Sequence, residues 1–430
     1  MFTIFDRDRA ASGLLALFVT LCFLLGGSAR DDVLSLLLLR PLSALAFAVG
    51  VAFAWSSGAL RRYRPLIFLA AALPALAVIQ LIPLPPAIWS SMAGRDLLWR
   101  IGEVAGIEQP WRPISVVPYR TWNSVWSALA PLAVLLLVLT AGRETTRRTV
   151  ILLAGIILAS GLLGLLQAIQ APGNGFYLYR VTNPDSAVGL FANRNHQAMF
   201  LALSFPLFAA VASLAKGSRE SMRPKLYVAI GMSILIMPFI LVTGSRAGLA
   251  LALVGIASAF FIYRDPSAAR QTRRETVARG YRGLIVVGLG ALLLIAFLLA
   301  ARASAIQRLF AVDPVDDLRF AVWGPIWHAA LGYYPWGSGI GTFVEVYRII
   351  EPDWLLGPRY LNHAHNDWLE LLLTGGLGGL AIAIWAAVML VPRIVRAFAI
   401  NVSAPHESIV IRRLAASIVA ILALGSAYDY

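Results

Sequence analysis

The sequence predicts an all-α polytopic membrane protein of about eleven transmembrane helices. Three observations predict it. The 430 residues are 59% hydrophobic and only 13% charged, whereas soluble chains average roughly 45–50% apolar and about 25% charged. Eleven apolar runs are long enough to cross a hydrocarbon core of ~30 Å. Basic clusters occupy alternate connections between those runs, as the distribution of Lys and Arg around a bilayer requires.

The runs fall at 12–28, 33–55, 65–83, 122–141, 149–171, 196–215, 226–243, 246–263, 283–301, 368–392 and 409–427. Arg7 and Arg9, an apolar stretch from Leu14 to Leu25 and then Gly27-Ser28-Ala29 resemble a cleaved signal peptide. The many spans that follow favour an uncleaved first helix. The seventh and eighth runs are separated by little more than Gly244-Ser245-Arg246, which predicts a tight helical hairpin. The last run ends at Ala427-Tyr428-Asp429-Tyr430 without a polar tail, and the expectation is that the final span is truncated or a further one is missing.

Orientation follows from the short loops. The N-terminus with Arg7 and Arg9, Arg61 to Arg64, Arg143 to Arg148, Lys216 to Lys225, Arg264 to Arg282 and Arg393 to Arg413 together hold 22 basic against 7 acidic residues. The other connections are close to neutral. The N-terminus is therefore expected in the cytoplasm, with the basic loops against anionic lipid. That accounts for the net charge of +14 without nucleic acid, whose recognition needs a contiguous basic face. The single Cys22 lies in an apolar run and excludes a disulfide framework or a cysteine metal site.

The chain thus reads as one transmembrane domain over 1–430 with two long outer loops. The first, 84–121, is rich in Pro and Trp and is expected to be ordered at the membrane surface. The second, 302–367, is the longest polar connection. Its aromatic residues, Trp323, Trp327, Tyr333, Tyr334 and Trp336 among them, argue for a large, partly helical loop, and this is where a site is expected.

The densest constellation there is Asn362-His363-Ala364-His365-Asn366-Asp367, with Trp368, Glu370 and the glycines Gly375, Gly376, Gly378 and Gly379 following. An imidazole titrates near neutrality and suits proton transfer. The bland alternative is that His365, Asn366 and Asp367 cap a helix while the glycines let helices approach. His363, His365 and Asp367 alternate and could share one side of an extended segment, but no second cluster supplies further ligands, so no metal is expected.

Three arginines form the second feature. Arg194 lies in Asn193-Arg194-Asn195-His196, Arg246 in Thr243-Gly244-Ser245-Arg246-Ala247-Gly248, and Arg319 in Asp317-Leu318-Arg319-Phe320. Each could simply snorkel. Three on one side of a membrane suit a diphosphate better, because guanidinium forks match phosphate oxygens. Gly337-Ser338-Gly339-Ile340-Gly341-Thr342 has the composition of a phosphate loop but lacks the Lys of GxxxxGK[ST], so it is expected to mark tight turns beside the site.

These residues resemble the signature of the O-antigen ligase and O-antigen polymerase superfamily: His-[Asn/Ser/Gln], nine residues, then Gly-x-x-[Gly/Thr/Tyr]. Here His365-Asn366, the nine residues from Asp367 to Gly375, and Gly376-Leu377-Gly378-Gly379 satisfy it. Ser245 to Gly248 is similar to the family's periplasmic arginine turn, and Arg319-Phe320 with Trp323 to the arginine at the head of its large loop. Gly339 to Phe343 is also similar to a family block. The resemblance implies transfer of a glycan from undecaprenyl diphosphate to an acceptor at the periplasmic face of the bacterial inner membrane, without nucleotide sugar, metal or cofactor. It implies that Arg246 and Arg319 hold the diphosphate and that His365 takes the acceptor proton. Arg194, Asn366 and His363 join them as expected substrate contacts.

The acceptor stays open. A ligase uses lipid A-core, a polymerase another lipid-linked repeat, and some relatives a protein hydroxyl; lipid A-core is the leading expectation. A lipid-linked sugar transporter or flippase is the rival from another class. Transporters place ionisable residues within spans near the midplane, and this chain has almost none there.

Overall fold

The structure, a computed structural model, describes residues 4–30, 32–170, 176–184, 186–215, 219–264, 314–357, 361–399 and 405–428. Ten of the eleven apolar runs are helices in it. The remaining run, 283–301, lies outside the described residues, as do most of the Arg264–Arg282 cluster and the chain end at Asp429-Tyr430. The helices are α1 (Ile4–Leu25), α2 (Leu36–Ser56), α3 (Ala59–Arg62), α4 (Arg64–Ile79), α5 (Pro86–Ser90), α6 (Asp96–Val104), α7 (Pro118–Ser127), α8 (Leu129–Leu139), α9 (Arg143–Ile169), α10 (Arg194–Ala202), α11 (Ser204–Ser213), α12 (Arg219–Thr243), α13 (Arg246–Ile262), α14 (Pro314–Tyr333), α15 (Phe343–Ile350), α16 (Asp367–Phe398) and α17 (His406–Tyr428). Among the described residues seven stretches are long and apolar enough to cross a membrane, and 10–25, 64–79 and 246–262 are shorter apolar helices. The protein is an all-α polytopic membrane protein.

Two compact units divide the chain. The first comprises Met1–Phe18, Leu36–Thr140 and Asp313–Leu390. In it α2 packs along α8, where a Cβ on Gly50 would stand 3.0 Å from Leu136 Cβ. The 84–121 loop is ordered: β1 (Pro83–Leu84) pairs antiparallel with β2 (Arg112–Pro113), and α5 and α6 lie between them. Trp89, 1% exposed, donates its indole N–H to Pro113 O at 2.8 Å, which satisfies the one polar group a buried tryptophan carries. A second buried cluster joins Val322, Ile326, Phe343, Val346, Ala364 and Leu373, so α14 and α15 pack with the chain leading into α16.

The second unit comprises Val19–Ser35, Ala141–Val312 and Val391–Tyr430. Its centre is the α10–α11 stretch, 78% of which is buried, against 17–39% for the other long spans. That helix steps at Leu203, whose N–H is shared between Met199 O and Phe200 O. Around it α9, α12, α13 and α17 bury Ile157, Leu201, Phe205, Ile240, Leu251 and Val410.

Candidate active site

In the first unit the site is built on a broken helix. At Gly376 the backbone of α16 leaves helical space, with φ 57° and ψ −142°, a region essentially restricted to glycine. The break frees carbonyls that the helix would otherwise use. Thr374 O accepts from Gly339 N at 2.9 Å and Leu373 O from Ser338 N at 2.9 Å, while Leu377 N donates to Pro335 O at 2.8 Å. The glycine-rich segment 337–342 therefore does form tight turns, with φ of 73°, 115° and 87° at Gly337, Gly339 and Gly341, and these turns satisfy the broken helix. Gln80, fully buried, ties the same place to α4: its amide donates to Thr374 O at 3.0 Å and its carbonyl accepts from Ile340 N at 2.9 Å. A Cβ on Gly378 would stand 2.8 Å from Leu76 Cδ1, so helix approach is a second use of these glycines.

Arg95 was not singled out by its sequence context, yet it is fully buried. Its guanidinium donates to Ala93 O at 2.7 Å, to Ile114 O and to Gly337 O at 2.8 Å, and it lies over the Tyr333 ring at 5.4 Å. Burial pulls its pKa down to about 10, still charged at neutral pH. Arg95 thereby fastens the 84–121 loop to the glycine turns. Nearby, Arg120 and Glu345 pair at 2.6 Å.

The strand of chain before α16 carries the histidines. Asn366 caps the helix, its Oδ1 accepting from Trp368 N and Leu369 N at 3.1 Å each, so the capping role expected of this residue type is real. Glu370 turns back: its carboxylate accepts from Ala364 N at 3.0 Å and meets His363 Nδ1 at 3.3 Å. Burial lowers the His363 pKa, but the Glu370 hydrogen bond and the charges of Glu370 and Asp367 outweigh it, leaving the imidazole above its ordinary value. His365, between these anchors, has φ 52° and is the one non-glycine residue with positive φ among the described residues. Such a conformation is held by its surroundings, and it concentrates at functional sites. Arg319 lies in α14, one turn before Val322, which shares the buried cluster of Ala364. Among the described residues no three His, Cys, Asp or Glu side chains are grouped as a metal site requires.

The other two arginines belong to the second unit. Each is the first residue of a helix. Asn193 caps α10, accepting from Asn195 N, and Arg194 N donates to Asn183 Oδ1 at 2.9 Å. The hairpin turn predicted between the seventh and eighth spans is present: Gly244 has φ 65°, and Ser245 caps α13 by accepting from Gly248 N at 3.0 Å. Arg246 follows, exposed between buried neighbours. Helices α10 and α13 pack directly, and a Cβ on Gly248 would stand 2.3 Å from Ala198 Cβ. Two helix N-termini, each opening with an arginine, thus lie in adjacent helices; helix starts and guanidinium groups both favour anions. The approach to α10 is braced by side chains inside the spans. Gln167 Oε1 accepts from Val188 N and Gly189 N, and Ser160 donates to Gln197 at 2.6 Å. Those polar residues within apolar runs were the available signal, since a buried amide must find partners.

A family model described as O-antigen ligase matches residues 231–384. The stretch holds Arg246, Arg319, His363, His365 and Asn366, and leaves Arg194 outside. The chain has no match among curated proteins. Members of the matched family are glycosyltransferase-like enzymes with lipid-linked glycan and acceptor partners. By this match the stretch 231–384, about a third of the chain, is similar to the O-antigen ligase family.

Proposed function

We propose that this chain is a glycosyltransferase at the periplasmic face of the bacterial inner membrane, moving a glycan from undecaprenyl diphosphate to an acceptor hydroxyl, with lipid A-core as the acceptor. The observation that carries the reading is His365, held at φ 52° at the head of a glycine-broken helix within the matched segment. In this reading His365 takes the proton of the acceptor hydroxyl. That oxygen bonds to the anomeric carbon as the bond from that carbon to the diphosphate breaks, and undecaprenyl diphosphate leaves carrying the added negative charge. Arg246 and Arg319, joined by Arg194, meet that charge, and preorganised cations at a developing anion are often the largest catalytic term. Asn366 and His363 complete the substrate contacts. No nucleotide sugar, metal or cofactor takes part. The excess of basic residues on alternate loops puts the N-terminus in the cytoplasm and 302–367 outside.

His365→Ala lowers transfer by about 10²–10⁴-fold in an assay of purified lipid-linked donor while the protein stays folded. Normal transfer by that variant would refute the assignment. Surface polysaccharide from a deletion strain separates the acceptors: free long chains without core attachment mark a lost ligase, single repeats a lost polymerase.

A further inference from the structure

We propose that Glu370 is the positioning residue for His365, gripping the two residues before it so that the imidazole is presented from a left-handed backbone. This rests on His365 being the proton acceptor. A non-glycine residue does not stay at φ 52° unless the chain on both sides is fixed. On the far side the fixing is ordinary: Asn366 caps α16, and Glu370 N donates to Asn366 O at 3.0 Å. On the near side Ala364 is fully buried among Val322, Phe343 and Leu373, which anchors its methyl group but leaves its N–H to be satisfied. Glu370 Oε2 satisfies it at 3.0 Å, and the same carboxylate holds His363 Nδ1 at 3.3 Å. One side chain thus binds both residues preceding the imidazole, from the first turn of the helix that follows it. The carboxylate faces His363 and the backbone, so its effect on the reaction runs through the placement of His365 and of the His363 contact beside it, away from the arginines that hold the donor diphosphate.

An acidic residue in a first helical turn also favours the helix dipole, and a purely structural Glu370 would do only that. The two roles differ in what they move. Loosening the approach to His365 misplaces the proton acceptor and lowers kcat, with donor binding elsewhere untouched; a misplacement near 1 Å is enough for about a hundredfold.

The test uses the full chain in detergent with undecaprenyl-diphosphate glycan as donor and lipid A-core as acceptor. Glu370→Ala is expected to lower kcat about a hundredfold with donor KM changed less than about threefold, while Glu370→Gln, which keeps an oxygen acceptor for Ala364 N, retains most of kcat. Where the alanine variant fails to fold, Glu370→Asp carries the same expectation, since its shorter arm withdraws the carboxylate. Unchanged kcat in Glu370→Ala or Glu370→Asp, or equal loss in Glu370→Gln, overturns the positioning role. His365→Ala, assayed alongside, distinguishes the two failures. If it is inactive while Glu370→Ala is normal, only the positioning role falls; if it is active, the reading of His365 falls and Glu370 with it.

Discussion

The two units hold their candidate groups in opposite ways. In the first, His365 rests on strained backbone between fixed neighbours, with Ala364 buried and held by Glu370 and Asn366 capping α16; farther along that helix, Gln80 and Arg95 tie the break at Gly376 and the glycine turns that repair it to other segments. In the second, Arg194 and Arg246 sit on unstrained helix starts with ordinary caps, on two helices, α10 and α13, that pack closely together. The contrast follows the chemistry proposed for each. A proton acceptor works within hydrogen-bond reach, so its position has to be fixed by many contacts. A cation acts over a longer range, so regular helices suffice to carry it.

The sharpest way to break this comparison is Gly376→Ala. A Cβ there would lie 2.3 Å from Pro335 O and 2.5 Å from Gly337 N, at a backbone conformation alanine does not adopt. Strain and overpacking together are expected to cost about 3–5 kcal/mol, read as a large fall in the unfolding temperature in detergent. A small effect would mean that the break is not what organises the first unit.

Gly248→Ala is the matching test in the second unit and has a smaller expected effect, about 1–3 kcal/mol, because the backbone there is helical. The helices must part where the new Cβ would meet Ala198 at 2.3 Å. Donor KM is expected to rise, and adding Ala198→Gly is expected to restore it. Loss of kcat at unchanged KM would erase the distinction between the units.

The smallest effect concerns pH. The His363 pKa lies above its ordinary 6.5 in the folded protein, so the Glu370 contact stabilises the protonated form. That stabilisation is complete below about 6.5 and is lost as pH rises through the folded value. With His363 a third exposed, it amounts to less than about 1 kcal/mol. Unfolding temperatures of wild type and His363→Gln should converge above that range; parallel curves would show that the pair contributes nothing.

Much of this organisation was legible in the residues. The apolar runs placed ten helices, because a span must satisfy its backbone internally and be about 20 apolar residues long. The Gly244-Ser245 turn and the Asn366 cap were local, and local patterns carry their own geometry. The signature glycines were visible as glycines, but not that Gly376 breaks the helix while Gly378 admits Leu76. Arg95 gave no sign of burial, since a lone arginine in a polar loop reads as solvated.

The sequence by itself determined the membrane class, the spans and the identity of the candidate groups, since hydropathy, charge alternation and motif spacing are properties of the chain read along its length. The tertiary structure alone decided that His365 is left-handed, that Glu370 reaches Ala364, that Gln80 and Arg95 close on the glycine turns, and that α10 lies against α13. Those depend on which carbonyls are left without partners when helices break and pack, and partners separated by 242 or 294 residues leave no trace in local pattern.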